Sequence, residues 1–193
     1  MNRMSDETVT NENAPDEGEH PDLSAAASQL RIATFRLARR MRTQRAVDSM
    51  TLLGPDIASP RAAGKYTVGV PMWMWVNQSA TTYGPNTASA SAGGITVTAT
   101  AKVSKIVWQM GDGASVTCTG PGTPYASSEG MAESPTCGHV YSKTSAAAQS
   151  GRFPVTATST WTINWQGGGQ AGQLAEVRQT DVQVAVGEVQ VVR

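Results

Sequence analysis

The stretch Trp108–Cys118, WQMGDGASVTC, holds the signal that most strongly decides the fold of this chain. A tryptophan ends a run of β-forming residues, a Gly-Asp-Gly follows, and a cysteine closes the stretch. Asp112 could serve as a catalytic carboxylate, a metal ligand or the corner of a turn. Two glycines around an aspartate favour the turn, because glycine accepts positive φ and an aspartate side chain can bond its own backbone.

The sequence on both sides of this turn alternates between apolar and polar residues, as strands do. The apolar phase that begins at Ile95 shifts at Ser104–Lys105, which marks a turn or a β-bulge between two strands. Residues 153–165 predict the clearest strand, and the glycine-rich residues 167–172 predict a hairpin loop after it. One further strand is predicted over the run YTVGVPMWMWV, residues 66–76. Turn signals at this frequency predict a mostly β chain folded as a β-sandwich.

These motifs resemble the polycystic-kidney-disease (PKD) repeat, an immunoglobulin-like β-sandwich. That family carries a W-x-x-G-D-G element, then H-x-Y, then G-x-Y-x-V-x-(L/A)-T. The resemblance covers residues 95–165 directly and extends to a domain over 66–193, which is also similar to exported actinobacterial proteins with a PKD-like domain. Gln109 and Met110 replace the commoner Asp-Phe, and tyrosine is usual at position 153. The matching residues are Trp108, Gly111, Asp112, Gly113, His139, Tyr141, Gly151, Phe153, Val155 and Thr158.

The resemblance implies structural roles for these residues. Trp108 is expected to fill the centre of the sandwich, and Tyr141 to bury its ring and aim its hydroxyl at the backbone, as in a tyrosine corner. His139 is expected to hydrogen-bond locally, towards the Asp112 turn. A calcium role for Asp112 lacks the multi-carboxylate cluster that calcium sites need. We therefore expect Gly111–Gly113 to be a structural turn, with no metal and no cofactor.

The two cysteines of the chain, Cys118 and Cys137, predict a disulfide that closes a Gly- and Pro-rich loop. Their spacing does not form a zinc motif, and His139 alone could not complete one. A disulfide predicts an extracellular or cell-envelope location. The acidic N-terminus has no apolar signal region, so we expect no secretory signal here, and a native N-terminus would instead predict the cytoplasm.

The first 65 residues differ in composition from the β part. Residues 1–22 hold seven acidic residues and one arginine, which predicts a disordered acidic tail. Residues 23–50 predict a basic amphipathic helix in which Leu30, Ala33, Leu37 and Met41 form an apolar stripe that Ile32 and Phe35 widen. Residues 51–65 are rich in proline, glycine and alanine and predict a linker. The arginines of the helix are Arg31, Arg36, Arg39, Arg40, Arg42 and Arg45.

The sequence SQLRIATFRLARRMRTQRAVDSMTLLG resembles the opening helix of MarR-type transcriptional regulators from actinobacteria. That resemblance covers residues 23–53 and implies a dimerisation helix. The helix-turn-helix and wing that such a regulator needs do not follow, so the resemblance implies a truncated or fused segment, and we do not expect nucleic acid as a partner. Residues 30–45 could alternatively contact an anionic membrane surface. No apolar run reaches about 18 residues, so no transmembrane helix is expected.

We find no enzyme motif in the sequence, neither G-x-S-x-G, H-E-x-x-H nor a phosphate-binding loop. Trp73 and Trp75 fall on the face of their predicted strand opposite Met72 and Met74, so they could bind a sugar ring or a protein partner if they are exposed. The favoured interpretation is that a loop or the N-terminal region covers them. The sequence thus predicts a non-catalytic β-sandwich for protein or glycan binding or for spacing. The alternatives are a fragment of a MarR-type regulator and a polysaccharide-binding module that uses both tryptophans.

Overall fold

The computed structural model describes residues 23–189, which are mostly β, with one N-terminal helix and several sheets. The acidic tail expected over residues 1–22 lies outside the described residues. Helix α1 spans Leu23–Asp48, and a short 3-10 turn spans Ser127–Glu129. The strands are β1 Asp56–Ser59, β2 Lys65–Thr67, β3 Pro71–Trp73, β4 Trp75–Asn77, β5 Asn86–Ala92, β6 Ile95–Gln109, β7 Ser115–Cys118, β8 Gly138–Val140, β9 Phe153–Gly167 and β10 Gln170–Gly187.

The chain divides into two compact units within α1, between Ala38 and Arg39. In the second unit the last turns of α1 belong to the core, where Ala46, Val47 and Met50 are buried. Among the described residues, none of the helices is both long and apolar enough to cross a membrane.

The apolar residues of α1 do not form the single widened face that the sequence predicts. At about 100° per residue, Leu37 lies near Leu30 around the helix axis, whereas Phe35 and Ile32 lie about 140° or more away from it. These four side chains are all more than half exposed. A helix that lies on a membrane surface needs one apolar face opposite a polar one. The predicted widening of the apolar stripe by Ile32 and Phe35 is therefore wrong, and membrane contact by residues 30–45 stays a prediction.

The largest sheet has the strand order β2-β10-β9-β6-β5, and β7 pairs with the second half of β6. All its pairings are antiparallel except that between β2 and β10. Strand β6 is continuous, and its register shifts between Val103 and Lys105. The predicted irregularity is therefore a β-bulge, and the predicted division into two strands is wrong, because the bulge absorbs the shift of phase within one strand. The predicted hairpin joins β9 to β10 through Gly168 and Gly169, with φ of 58° and 73°. Positive φ at both positions is typical of the two-residue turns that match strand twist.

One face of this sheet forms the core, because the side chains of β6 and β9 alternate between a buried and a more exposed side. Strands β3 and β4, which pair with β8 and β1 in two small sheets, contribute Met72 and Val76 to the same core, and Met74 between the two strands joins them there. The buried side of the large sheet consists of Val97, Ala99, Ala101, Val103, Ile106, Trp108, Phe153, Val155, Ala157, Ser159, Trp161, Ile163, Val184 and Val186.

Residues 66–76 do not form the single strand that the alternation predicts. They are divided among β2, β3 and β4, which pair with three different partners. Gly69 has a φ of 76°, and the Val70 N–H donates to Thr67 O at 3.2 Å, so the chain turns between β2 and β3. Strand alternation continues in phase through this turn, which is why the sequence pattern does not reveal it.

Residues 51–65 contain strand β1 and the buried residues Leu52, Pro55 and Pro60, although their composition predicts a linker. Their backbone oxygens are bonded to the large sheet: Leu53 O accepts from Trp161 Nε1 at 3.2 Å, and Leu52 O accepts from Arg178 Nε at 2.9 Å. Side chains of the sheet thus satisfy backbone groups that a linker would expose to water.

Replacing Trp161 by phenylalanine is expected to lower the free energy of unfolding by about 1 kcal/mol more than the same change at Trp108. Both indoles are buried, so both changes remove similar volume from the core. Trp161 Nε1 donates to Leu53 O, whereas Trp108 Nε1 has no hydrogen-bond partner among the described residues. Urea unfolding of the two variants measures the difference, and equal losses would contradict it.

Candidate functional site

The Gly-Asp-Gly segment is a tight turn between β6 and β7. Gly111 and Gly113 have φ of 78° and 100°, where side chains are strained. Asp112 Oδ1 accepts the Ala114 N–H at 2.9 Å, and the Met110 N–H donates to Ala114 O at 3.0 Å. One carboxylate oxygen of Asp112 is therefore used to close its own turn.

The second carboxylate oxygen of Asp112 joins this turn to β8. Asp112 Oδ2 lies 2.8 Å from His139 Nε2, and the two side chains are only 6% and 12% exposed. The His139 ring meets the Tyr141 ring edge-on at 4.7 Å, and Tyr141 stacks on Phe153 at 5.3 Å. The Tyr141 hydroxyl donates to Met110 O at 3.0 Å. These contacts connect β6, β8 and β9 at one end of the core.

The surroundings of this pair shift two pKa values. Burial alone raises the pKa of the Asp112 carboxyl, but the Ala114 N–H, the His139 hydrogen bond and the His139 charge together outweigh burial. The pKa of Asp112 consequently lies below its ordinary 3.8. Burial, aided by the negative charge of Asp112, raises the pKa of Tyr141 well above its ordinary 10.0, so its hydroxyl stays protonated. The Asp112 carboxylate is thus held in its charged form.

Asp112→Asn is expected to lower the free energy of unfolding at pH 7 by about 1 kcal/mol, because it removes the charge from a buried hydrogen bond. A folded-state pKa below that of the unfolded chain contributes stability above the unfolded value and loses it as the pH falls through the folded one. Urea unfolding should therefore show the variant and the parent converging as the pH falls below 3.8.

Asp56→Asn is the control for this experiment, because Asp56 is exposed and bonds only an exposed amide, Asn77 Nδ2 at 3.2 Å. A constant difference between Asp112→Asn and the parent across this pH range would contradict a role for the Asp112 charge.

A cleft of about 240 Å³ beside this pair is lined by His139, Ser134 and Glu133, among others. Ser134 Oγ accepts the Cys137 N–H at 3.2 Å, so its hydroxyl supports a turn of the chain. Both carboxylate oxygens of Asp112 are already hydrogen-bonded, Oδ1 to the Ala114 N–H and Oδ2 to His139 Nε2. Within residues 23–189, no group of three or more His, Cys, Asp or Glu side chains is placed to hold a metal ion.

Cys118 and Cys137 form a disulfide with a Cα–Cα distance of 5.7 Å. The bond joins the end of β7 to the residue before β8 and closes the loop of residues 119–136, called the disulfide loop below. A backbone bond attaches this loop to β4, since the Val76 N–H donates to Pro121 O at 2.9 Å. Directly after the loop, Cys137 O accepts the N–H of Met74, which lies between β3 and β4, also at 2.9 Å. A disulfide is typical of proteins in an oxidising setting.

The disulfide loop covers Trp73, which the sequence offered as an exposed binding residue. Trp73 is 5% exposed, its Nε1 donates to Ala132 O at 2.8 Å, and its ring meets Tyr125 edge-on at 5.5 Å. A loop distant in sequence therefore covers the indole, as the favoured interpretation expects, and Trp73 is not an exposed binding residue. Trp75 is half-buried and keeps an accessible edge.

Between the disulfide loop and strands β2–β4 lies a surface cleft of about 290 Å³, called the aromatic groove below. Tyr125 and Met131 of the loop are 44% and 64% exposed at its rim. None of the residues that line the groove carries a charge. Those that offer ring or apolar surface to it include Tyr66, Pro71, Trp73, Trp75, Tyr125 and Met131.

Some hydrogen-bonding groups of the groove bond within the protein, and others keep a donor proton for a ligand. Gly130 O accepts the Tyr125 hydroxyl at 3.0 Å, and Ser59 Oγ donates to Trp73 O at 2.7 Å. The Tyr66 oxygen accepts the Arg61 N–H at 2.9 Å, which leaves its own proton to donate. Trp75 Nε1 has no hydrogen-bond partner among the described residues. The groove therefore keeps two donor protons for a ligand, those of Trp75 Nε1 and of the Tyr66 hydroxyl.

Sequence reasoning found Trp75 but missed Tyr66, Tyr125 and Met131. The available signal was weak: Tyr125 and Met131 lie between the two cysteines, so the disulfide predicted from the sequence brings them near the strands that it anchors. No family model, curated protein or solved structure matches the chain.

Proposed function

We propose that residues 66–193 form a PKD-like, immunoglobulin-type β-sandwich that acts as a non-catalytic binding module in the extracellular space or cell envelope. The observation that carries this proposal is the aromatic groove. Exposed aromatic and apolar side chains on a covalently closed loop are typical of a recognition surface, because the ordering of the loop is largely completed before a ligand binds.

Several contacts support the fold assignment. Trp108 is buried in the core, and the Tyr141 hydroxyl donates to Met110 O, which supports the roles expected for them in a PKD-like domain. His139 meets Asp112 across the turn. The two small sheets also share one core with the inner face of the large sheet, as the second layer of a sandwich does.

The hydrogen bonds of Asp112 and Ser134 support a binding role rather than a catalytic one, because both side chains hold the fold together. Asp112 holds its turn and His139, and Ser134 holds the backbone before β8. The disulfide supports an exported location, since such bonds persist in oxidising compartments. A MarR-type regulator is not proposed, because residues 49–189 hold no α-helix that could enter a major groove.

The proposal is tested by binding of the chain, with its disulfide intact, to a panel of immobilised neutral polysaccharides and of peptides. At least one probe is expected to retain the parent chain and to lose about ten-fold in affinity with Tyr125→Ala, since aromatic anchors carry much of the energy of an interface. Val177→Ala is the matched control, because Val177 is 58% exposed on β10 and does not line the groove. If no probe distinguishes Tyr125→Ala from the parent, the groove is not a binding site.

A further inference from the structure

The chemistry of the aromatic groove identifies the class of ligand. We infer that the groove binds an uncharged, proline-rich peptide segment in the polyproline II conformation, an inference that rests on the binding function proposed above. Such segments dock into grooves lined by aromatic side chains, and their preformed helix loses little conformational entropy on binding.

The shape and lining of the groove fit proline rings. The Trp73 indole fixes Tyr125 edge-on at 5.5 Å, which sets the loop side of the cleft. Tyr66, Pro71 and Trp75 supply the strand side. A cleft of about 290 Å³ lies at the small end of ligand sites, which suits one or two inserted side chains better than a whole small molecule.

The hydrogen-bonding pattern of the groove also selects this ligand. Trp75 Nε1–H and the Tyr66 hydroxyl proton can donate to a ligand, and Gly130 O already accepts from the Tyr125 hydroxyl. Proline-rich backbone presents carbonyl oxygens and has no N–H to donate at each proline. A ligand backbone that accepts at its carbonyl oxygens can therefore pair both of these donors.

A glycan is the competing ligand, and the lining residues fit it less well. Sugar hydroxyls donate as well as accept, so they need carboxylate, amide or other acceptor groups beside an aromatic surface. The groove offers no Asp, Glu, Asn or Gln side chain, and its one aliphatic hydroxyl, that of Ser59, donates to Trp73 O. A sugar bound there would lose hydrogen bonds to water without replacing them.

The described residues that line the groove carry no charge, which predicts that peptide affinity depends little on salt. Salt screens interactions between exposed charges, but it has little effect on apolar burial and on neutral hydrogen bonds. Binding of an uncharged proline-rich peptide is consequently expected to keep its affinity between 50 mM and 500 mM NaCl, within about two-fold.

The experiment titrates the full chain with acetylated, amidated decaproline, with a Gly-Ser peptide of equal length and with neutral chito- and cello-oligosaccharides. Decaproline is expected to bind and the other probes not to. Tyr125→Ala is expected to weaken decaproline binding about ten-fold or more. Trp75→Phe, which keeps a ring and removes the donor, is expected to weaken it about five-fold, and Val177→Ala to leave it unchanged. Denaturant midpoints of all variants confirm that each is folded.

Each outcome separates this inference from the proposed function. Tyr125-dependent binding of an oligosaccharide in place of decaproline overturns the inference and supports the binding function. Decaproline binding that is equal in the parent and in Tyr125→Ala places the peptide elsewhere and overturns the inference. The absence of any decaproline binding overturns it as well, and the panel of immobilised probes then decides whether the groove binds anything.

Discussion

Replacing Cys118 and Cys137 together by alanine is expected to lower the free energy of unfolding by about 3 kcal/mol. The bond closes a loop over a sequence separation of 19 residues, and loss of a loop of this size restores that much entropy to the unfolded chain. Both cysteines are buried, so alanine avoids placing an unpaired hydroxyl in the core, as serine would.

Urea unfolding under non-reducing conditions measures this loss. The parent chain in excess reductant is the control, and it is expected to unfold near the midpoint of the alanine variant. The unfolding slope is expected to rise in the variant, since an unfolded chain without the cross-link exposes more surface. An unchanged midpoint after both treatments would contradict a stabilising disulfide.

The double alanine variant also tests how the disulfide affects the position of the disulfide loop and binding at the aromatic groove. The loop's backbone bond to Val76 of β4 and the Trp73–Ala132 hydrogen bond do not depend on the disulfide, so the loop can still reach its folded position. The loop is expected to open more often, however, and to become more sensitive to limited proteolysis near Tyr125, which is exposed. Affinity at the aromatic groove should fall in proportion to the time that the loop spends open.

The parts of the fold that local chemistry decides were accessible from the sequence. Paired glycines indicated the β9–β10 hairpin, and a shift of phase at Ser104–Lys105 indicated the bulge in β6. The division of residues 66–76 into three strands could not be predicted from the sequence. Met72, Met74 and Val76 are buried at every second position, although β3 and β4 pair with different strands. Alternation shows which side of a strand is buried, but it does not show which strand lies beside it.

In the candidate site, too, some contacts could be predicted from the sequence and others could not. The Asp112–His139 contact was expected, since a motif with defined spacing carried it. Coverage of Trp73 depends on Ala132, 59 residues along the chain, and burial by a loop leaves no trace in the periodicity of the strand that it covers. The groove residues Tyr125 and Met131 lie in irregular sequence, where no period marks their direction.

Gly111→Ala is expected to lower the free energy of unfolding by about 2–5 kcal/mol, whereas Gly113→Ala should cost only about 1–2 kcal/mol. Both glycines have positive φ, so both variants carry the strain of a left-handed backbone. They differ in the room available for a side chain. A Cβ added at Gly111 would lie 2.7 Å from Phe153 Cβ and from Pro154 O, whereas a Cβ added at Gly113 would have no neighbour within 4 Å.

The difference between the two variants isolates the close approach of the Gly-Asp-Gly turn to β9. Backbone strain and the lower entropy of the unfolded chain apply to both, so they largely cancel when the two are compared. Pro154 O belongs to the backbone of β9 and cannot rotate away as a flexible side chain could. Parallel urea titrations at pH 7 measure the difference. Equal losses would mean that the turn stands clear of β9, and the first glycine of the motif would then be required only for its backbone angle.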